Sequence, residues 1–541
     1  MTADEIIDRM KTMIGDRSNF SARWQDCADY GMPGNNQITN KHAPGAKRVD
    51  TFQTVGENCI IQLAAGLYSY MFPTDSKAFA LKINNEKFAE NEDVKQWLHN
   101  VTDILHLHMI QSNFREAFFE LLKSLGLFGT GCFQCEKGLK GQVLNFINFY
   151  MGEIYIDVDS RWNIDTVFRQ FEYTARQAEQ EFGRENLGEK VSIALDDPKK
   201  INDKFKFIYA TYPRKGADGK NKDPLTMDYE VKYVSEDDKK IVKESGTPEL
   251  SMQVSRFDRD ATEKYGRSPM MKMLSDIQML SEMKMVRIKA WEKMCDPPIV
   301  LPDDGSIWPL ATQPGGVIHK ATGGDDPFWF EFKGDLNKLN EAIDQTTKDI
   351  KDGFFISLFE LPEQGVQMTA TEVIQRAEQK MRTLTPIIGR LQSEYFNPMI
   401  HRMIRILGEA GELPEKPKEL MEAEYSIEYL GRLALALKSL ESQGFIMTMD
   451  QLKVAFGELD RTEYLDNFDI DKASRNLARN NGVPATWLKN EDTVKAEREQ
   501  QMKAAQQQAA MEQLPGLAKA AADAGKAPER GSLTERTLNA A

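Results

Sequence analysis

Apolar residues recur at helical spacing through the first 130 or so residues. In "DTFQTVGENCIIQLAAGLYSYMFP" the positions Val55, Cys59, Leu63, Gly66 and Tyr70 share one face, and Pro73 stops the pattern. A longer helical stretch, "DVKQWLHNVTDILHLHMIQSNFREAFFELLKSLGLFGTG", ends in the glycine cluster Gly126, Gly129 and Gly131. From about 132 to 256 the period changes to two. "LNFINFY", "GEIYIDVD" and "DTVFRQFEYT" read as strands, and "FKFIYATYPRKGADGKNKDPLTMDYEVKYVS" as a long hairpin. One arm of that hairpin carries Phe205, Phe207 and Tyr209, the other Tyr229, Val231 and Tyr233. Its basic tip (Lys215, Lys220, Lys222) reads as a solvated turn rather than a nucleic-acid site.

The helical period returns in "GRSPMMKMLSDIQMLSEMKMVRIKAWEKMCDPP". Ser268 suits an N-cap, Pro269 the first helical position, and Pro297–Pro298 ends the run. Its apolar residues surround more than one face, and seven of them are methionine, whose flexible thioether packs against irregular or shifting neighbours. This pattern fits an ordinary buried helix or a helix packed between subunits. Residues 299–334 are broken every few positions by Pro or Gly, which leaves room only for short strands and turns. "DLNKLNEAIDQTTKDIKDGFFISLF" then predicts a helix of roughly 24 residues, about 36 Å long. Leu336, Leu339, Ile343, Ile350 and Phe354 make its apolar stripe, and Lys338, Glu341, Gln345, Lys348 and Asp352 a wet, mixed-charge face.

A short loop with Glu360, Pro362, Glu363, Gln364, Gly365 and Gln367 follows. Thr369 and Glu372 have capping-box spacing, so a new helix is expected there, running to about Leu407 with kinks at Pro386 and Pro398. Residues 427–490 read as shorter helices. The stretch from about 493, rich in Ala, Gln and Lys and then in Gly and Pro, reads as a solvated helix decaying into disorder.

Composition narrows the picture. The 541 residues suit two to four packed regions. A net charge of −14 argues against tight nucleic-acid binding, which needs a clustered basic surface to displace counterions. The start lacks a basic secretory n-region, no apolar run is long enough to cross a membrane, and five scattered cysteines fit a reducing cytoplasm.

Candidate chemistry is thin. The phosphate cradle GxxxxGK[ST] is missing. The glycines of "GLFGTG" follow a helix instead of opening one, so they read as a helix terminator. Cys132 and Cys135 form one CxxC without a second pair at zinc spacing, and they enter a strand pattern with side chains on different faces. His99, His106 and His108 do not have the spacing of a helical zinc site. Asp157, Asp159, Asn163 and Asp165 loosely resemble a calcium loop, but Trp162 and Phe168 replace its glycine and bidentate glutamate. The expectation is a non-enzyme without cofactor or metal.

The order of elements carries more. "WQDCADYGMP", "YSYMFPTDSKAFAL", "NFREAFFELLKSLGLFGTGC", "IDTVFRQFEYTARQ", "RFDRDATEKYGRSPMMKMLSDIQMLSEM", "TATEVIQRAEQKMRTLTPIIGRLQSEYFNPMIHRMIRIL" and "GVPATWLKNEDTVKAEREQQMKAAQQQ" occur in sequence along nearly the whole chain. In that order they resemble the portal proteins of tailed bacteriophages, and more narrowly the head-to-tail connector of short-tailed, T7-like phages. The resemblance implies a mainly α fold with inserted β segments (α+β). Its parts would be a wing (1–257, β-rich from about 132), a stem helix (258–294), a clip (295–333) and a second stem helix (334–358). A tunnel loop (359–368), a kinked wing helix (369–425), a crown (426–492) and a C-terminal barrel helix or disordered tail (493–541) would follow. It further implies a ring of about twelve copies at one capsid vertex, threaded by double-stranded DNA without sequence preference. Terminase large subunit and tail adaptor would dock on the clip, where Trp308, His319, Lys320 and Trp329 are candidates. Major capsid protein and scaffold would be further partners, no membrane is implied, and the setting would be the virion, with host cytoplasm during assembly. Lys338, Glu341, Gln345, Lys348 and Asp352 would then face the channel.

On that reading the loop from Glu360 to Gln367 forms an acidic collar that repels passing phosphates, so DNA slides instead of sticking. A plain solvent-facing connector is the bland alternative. Two other classes compete: a capsid shell or scaffold component, and a thiol or metal enzyme around Cys132 and Cys135.

Overall fold

A computed structural model describes residues 1–34, 37–39, 51–73, 77–83, 92–138, 142–216, 226–297, 299–300, 328–329, 334–359, 383–417, 425–430, 444–452, 470–480 and isolated positions from 494 to 503. The chain divides into two compact units, Met1–Leu433 and Ala434–Ala541. Within the second, a helix spans Ile470–Asn480, and Arg498 pairs with Asp471.

In the first unit, α1 (Ala3–Gly31) opens with a capping box: Thr2 accepts from the Glu5 N–H, and Glu5 accepts from the Thr2 N–H. Its apolar face serves two cores. Ile6, Ile7, Met10 and Met13 pack on one sheet, whereas Trp24, Cys27 and Ala28 enter the larger core. Three more helices join that core: α2 (Val55–Met71), α3 (Glu92–Gln111) and α4 (Phe114–Phe128). Helix α4 stops at Gly129, whose φ of +74° only glycine adopts readily. The glycine has a second cause. Its carbonyl would lie 2.1 Å from a β-carbon built on Gly266, so two backbones cross there in contact.

The period-two region folds into two antiparallel sheets. One is ordered β4-β5-β6-β7-β8, from Ile154–Val158, Ile164–Thr174, Lys204–Pro213, Tyr229–Ser235 and Lys240–Thr247. The expected long hairpin is β6–β7, with Tyr209 opposite Tyr233 and their rings 4.7 Å apart, edge to face. Its tip between 217 and 225, with Lys220 and Lys222, lies outside the described residues. The other sheet is ordered β3-β2-β9, from Leu144–Phe149, Thr130–Lys137 and Gln253–Arg256. Two short helices that the alternation concealed, α5 (Ala175–Phe182) and α6 (Glu189–Asp196), sit between β5 and β6.

Helix α7 (Pro269–Cys295) starts where its residue types dictate, with Ser268 accepting from the Met271 N–H at 2.9 Å. Beyond it, β10 (Ile299–Val300) pairs with β11 (Phe328–Trp329). The next helix is shorter than its amphipathic pattern predicts: α8 covers Leu336–Gly353, and a four-residue α9 covers Ile356–Phe359. The break lies at Phe355, whose φ of +60° no helix accommodates. An aromatic residue there costs about 1–2 kcal/mol, so tertiary packing must hold it.

The expected long helix to about Leu407 is also divided. Its first part, 369–382, lies outside the described residues, and a turn at Thr383–Leu384 precedes α10 (Thr385–Leu391), where Pro386 occupies the first turn. A π-helical segment, Gln392–Phe396, then leads into α11 (Asn397–Glu409). Pro398 explains it. Proline cannot donate to the Glu394 carbonyl, and the wider π turn absorbs the ring that an α turn would exclude. The region read as short helices from about 427 begins instead with a strand, β12 (Tyr425–Tyr429), paired with β1 (Phe79–Ile83) across more than 340 positions of sequence.

Candidate functional site

The residues that could have carried chemistry are structural. Cys132 and Cys135 in β2 point to different faces and are both fully buried. Burial pushes the Cys135 thiol up to about 12 and that of Cys132 higher still, so neither is available as thiolate. His106 accepts from the Ala78 N–H through Nε2, donates through Nδ1 to the Thr102 carbonyl, and stacks 4.4 Å from Phe79. Burial holds it neutral by lowering its pKa. His99 lies 3.6 Å from Asp103. Asp159 accepts from the Arg161 and Asn163 N–H groups at 2.7 and 2.8 Å, a side-chain-capped β-turn in which Trp162 takes φ +67°. Among the described residues, no group of three or more His, Cys, Asp or Glu could hold a metal ion.

What the fold does build is a pair of helices anchored to a sheet. Helices α7 and α8 are in close contact at Met273 and Gly353: a β-carbon on Gly353 would lie 2.3 Å from Met273 Sδ. Farther along, Arg287 Nη1 reaches Asn340 Oδ1 at 3.4 Å and its guanidinium lies 4.9 Å from the Trp291 ring. Ile343, Thr346 and Ile350 of α8 are buried, while Lys338, Glu341, Gln345, Lys348 and Asp352 all lie exposed on the opposite side. Helix α7 buries Met270, Met271, Ile277 and Leu280 near its start, but leaves Met279 (48%), Val286 (51%), Ile288 (39%), Trp291 (46%) and Met294 (52%) exposed.

The base of the pair is pinned by the segment between β9 and α7. Lys264 bridges Asp16 of α1 (2.9 Å) and Asp157 of β4 (3.0 Å), and Arg267 holds Glu263 and Asp260. The Tyr265 hydroxyl accepts from the Ile156 N–H, and its ring meets Trp24 edge to face at 5.3 Å. Ser268, besides capping α7, donates to the Leu127 carbonyl.

Buried arginines tie the remaining layers. Arg17 reaches the carbonyls of Met151, Gly152 and Ile154 and the Ser21 hydroxyl, with its guanidinium 3.7 Å from the Tyr155 ring. Arg402 of α11 donates to the Cys135 carbonyl and to Glu249, which Arg405 also holds. Sequence reasoning missed these residues because a buried arginine looks like a surface one until its partners are known. Of the other expected positions, Glu360, Pro362, Glu363, Gln364, Gly365, Gln367, Trp308, His319 and Lys320 lie outside the described residues, and Trp329 stands in β11 opposite Ile299.

Taken together these features define a structural scaffold of mixed helix and sheet, with a helix pair carrying an apolar surface and a charged one. The sequence matches the bacteriophage head to tail connecting protein family over residues 3–488, and the chain belongs to that family, a structural one. It is 26% identical over 520 residues to the probable portal protein of Bordetella phage BPP-1, covering 94% of this chain and 93% of that one. It is 25% identical over 524 residues to the portal protein of Salmonella phage epsilon15, covering 94% and 92%. With the portal protein of Enterobacteria phage T3 it shares 22% identity over 452 residues, 78% of each chain. Its role is that of a portal, connecting head to tail in the virion.

Proposed function

We propose that this chain forms a closed ring of about twelve copies at a single capsid vertex, and that α7 and α8 line its channel. The observation that carries this reading is the outer surface of α7. Five large apolar side chains are left exposed on a helix that buries only Met270, Met271, Ile277, Leu280 and Ala290 among its large or apolar residues after Pro269. Turning about 100° per residue, Met279 and Val286 lie roughly 120–140° away from the Met273 line that meets α8, and Ile288 about 60° to the other side, so α8 alone cannot cover them. A head-to-tail ring can, because each copy then presents two different faces to its two neighbours. Each is already about half buried, so covering the remainder contributes roughly 1 kcal/mol per side chain, and five together supply a drive to assemble.

The charged face of α8 then meets the duplex. Lys338, Lys348 and Lys351 are interleaved with Glu341, Asp344, Asp349 and Asp352, three cations among four anions. Such a surface attracts phosphates weakly and repels them nearly as much, which suits sliding. The acidic loop from Glu360 to Gln367 is the proposed collar, and the region from 295 to 333 the docking site for terminase large subunit and later the tail adaptor. Major capsid protein and scaffold would surround the ring during assembly in host cytoplasm. The chain performs no catalysis in this scheme. Negative-stain electron microscopy of the purified full chain tests it: rings with a central hole are expected. Closed shells would favour a capsid or scaffold role, and persistent monomers at high concentration would end the proposal.

A further inference from the structure

The stretch from Gly353 to Phe359 holds a strained residue between two glycine seats. At one end Gly353 lies against Met273, which fixes α8 on α7. At the other, the Phe359 ring fills a notch on α2, where a β-carbon built on Gly66 would lie 2.6 Å from three ring atoms. Between them stands Phe355 at φ +60°, with its N–H donating to the Asp352 carbonyl at 3.0 Å and its carbonyl accepting from the Leu358 N–H at 3.1 Å. No proline interrupts residues 336–359, and the apolar spacing favours one uninterrupted helix. Helix preference and observed conformation therefore oppose each other at a single backbone dihedral.

We propose that Phe355 is a two-position switch. In the observed position its left-handed backbone breaks the helix and Phe359 is seated on α2. In the other, Phe355 adopts ordinary helical dihedrals, α8 and α9 become one helix of about 24 residues, and Phe359 leaves the Gly66 notch. The two positions balance because each satisfies what the other forfeits. The broken one packs the half-buried Phe359 on α2 and buries Ile356 in the core, and the continuous one relieves the strain and adds helical hydrogen bonds. The switch thus sets the direction in which the chain leaves the helix pair at Phe359, and α2 senses which position is occupied.

Two substitutions push it in opposite directions. Phe355→Gly removes the left-handed penalty and weakens the continuous helix, so the broken position should gain about tenfold in relative population. Gly66→Ala fills the notch and should shift the balance by a similar factor toward the continuous helix. Nitroxide labels at Glu57→Cys and Ser357→Cys, both exposed, report the change as a distance. They are placed in a Cys295→Ser full chain, whose other cysteines are buried, and diluted with unlabelled chain. Two distances are expected in the parent, one dominant in each variant. A single, unchanged distance in the parent and in Phe355→Gly would overturn the switch, whether or not Gly66→Ala folds. Ring formation is scored separately, so loss of the switch leaves the ring proposal standing.

Discussion

Arg256 holds Glu394 by three nitrogens: its backbone N–H reaches Oε2 at 2.9 Å, Nε reaches Oε1 at 3.0 Å, and Nη2 reaches Oε1 at 2.5 Å. The arginine ends the edge strand β9, and the glutamate sits in the π-helical segment. One side-chain pair therefore fastens the helix following the 360–382 stretch to the sheet preceding α7. The arginine side chain is only 4% exposed, so the pair stands or falls together.

Glu394→Ala should leave that guanidinium buried without its countercharge. Breaking a buried pair from one side costs about 3–5 kcal/mol, and urea denaturation of the full chain should show the midpoint falling accordingly. Glu394→Gln keeps acceptor geometry at one oxygen and should lose less.

Arg17 predicts a different pattern. Four hydrogen bonds fan out from one planar group, and lysine cannot reproduce that fan. Arg17→Lys is therefore expected to destabilise nearly as much as Arg17→Ala, about 3 kcal/mol, with the loss read by thermal unfolding. A fully tolerated lysine would contradict this account.

Val286→Asp and Met279→Asp should separate folding from assembly. Both side chains are about half exposed in the single chain, so stability of the subunit should change by no more than about 0.5 kcal/mol. Light scattering after gel filtration should nevertheless show rings lost, because a carboxylate would have to be desolvated at the interface.

Acid should weaken the fold partly through His106. Burial lowers its pKa below the ordinary 6.5, with Lys77 acting the same way and the Thr102 carbonyl and Asp103 opposing. The unfolded chain thus binds the proton more readily than the folded one. The contribution is whole above pH 6.5 and declines as pH falls from there toward the lower folded value. His106→Gln should flatten that part of the stability profile, measured by denaturant titration across pH 5 to 8. His401, also lowered by burial, acts in the same direction, with Glu249 opposing.

Charge reversal at the proposed collar is the functional counterpart. Glu360→Lys with Glu363→Lys would replace repulsion of phosphates by attraction, and DNA packaging in an assembled particle is expected to slow or stall. Packaging at the normal rate would remove the collar while leaving the ring untouched.

How much of this was legible beforehand follows from the range of each interaction. Ser268, Pro269 and Pro297 fixed both ends of α7 through sterics and capping confined to a few residues. Alternation marked β4, β5, β6 and β7 because a half-buried strand writes its period into its own side chains. The exposed stripe of α8 was readable for the same reason. The order of such segments also placed the chain in its family.

Other features have causes that lie far away in sequence. Strand β12 exists because β1 offers it an edge; "YSIEY" does alternate, but five residues between helical patterns are a short signal, and the partner strand lies more than 340 positions away. Phe355 is left-handed between two long-range contacts, Gly353 against Met273 and Phe359 against Gly66, which no local pattern announces. Arg256, Arg17 and Arg402 are interior because carboxylates and carbonyls converge on them from other elements. Local rules set where helices and strands begin and what they are made of, since dihedral sterics and periodicity act within a turn. Tertiary structure chose where α8 breaks and which charges go inside, since those choices depend on partners that only packing brings together.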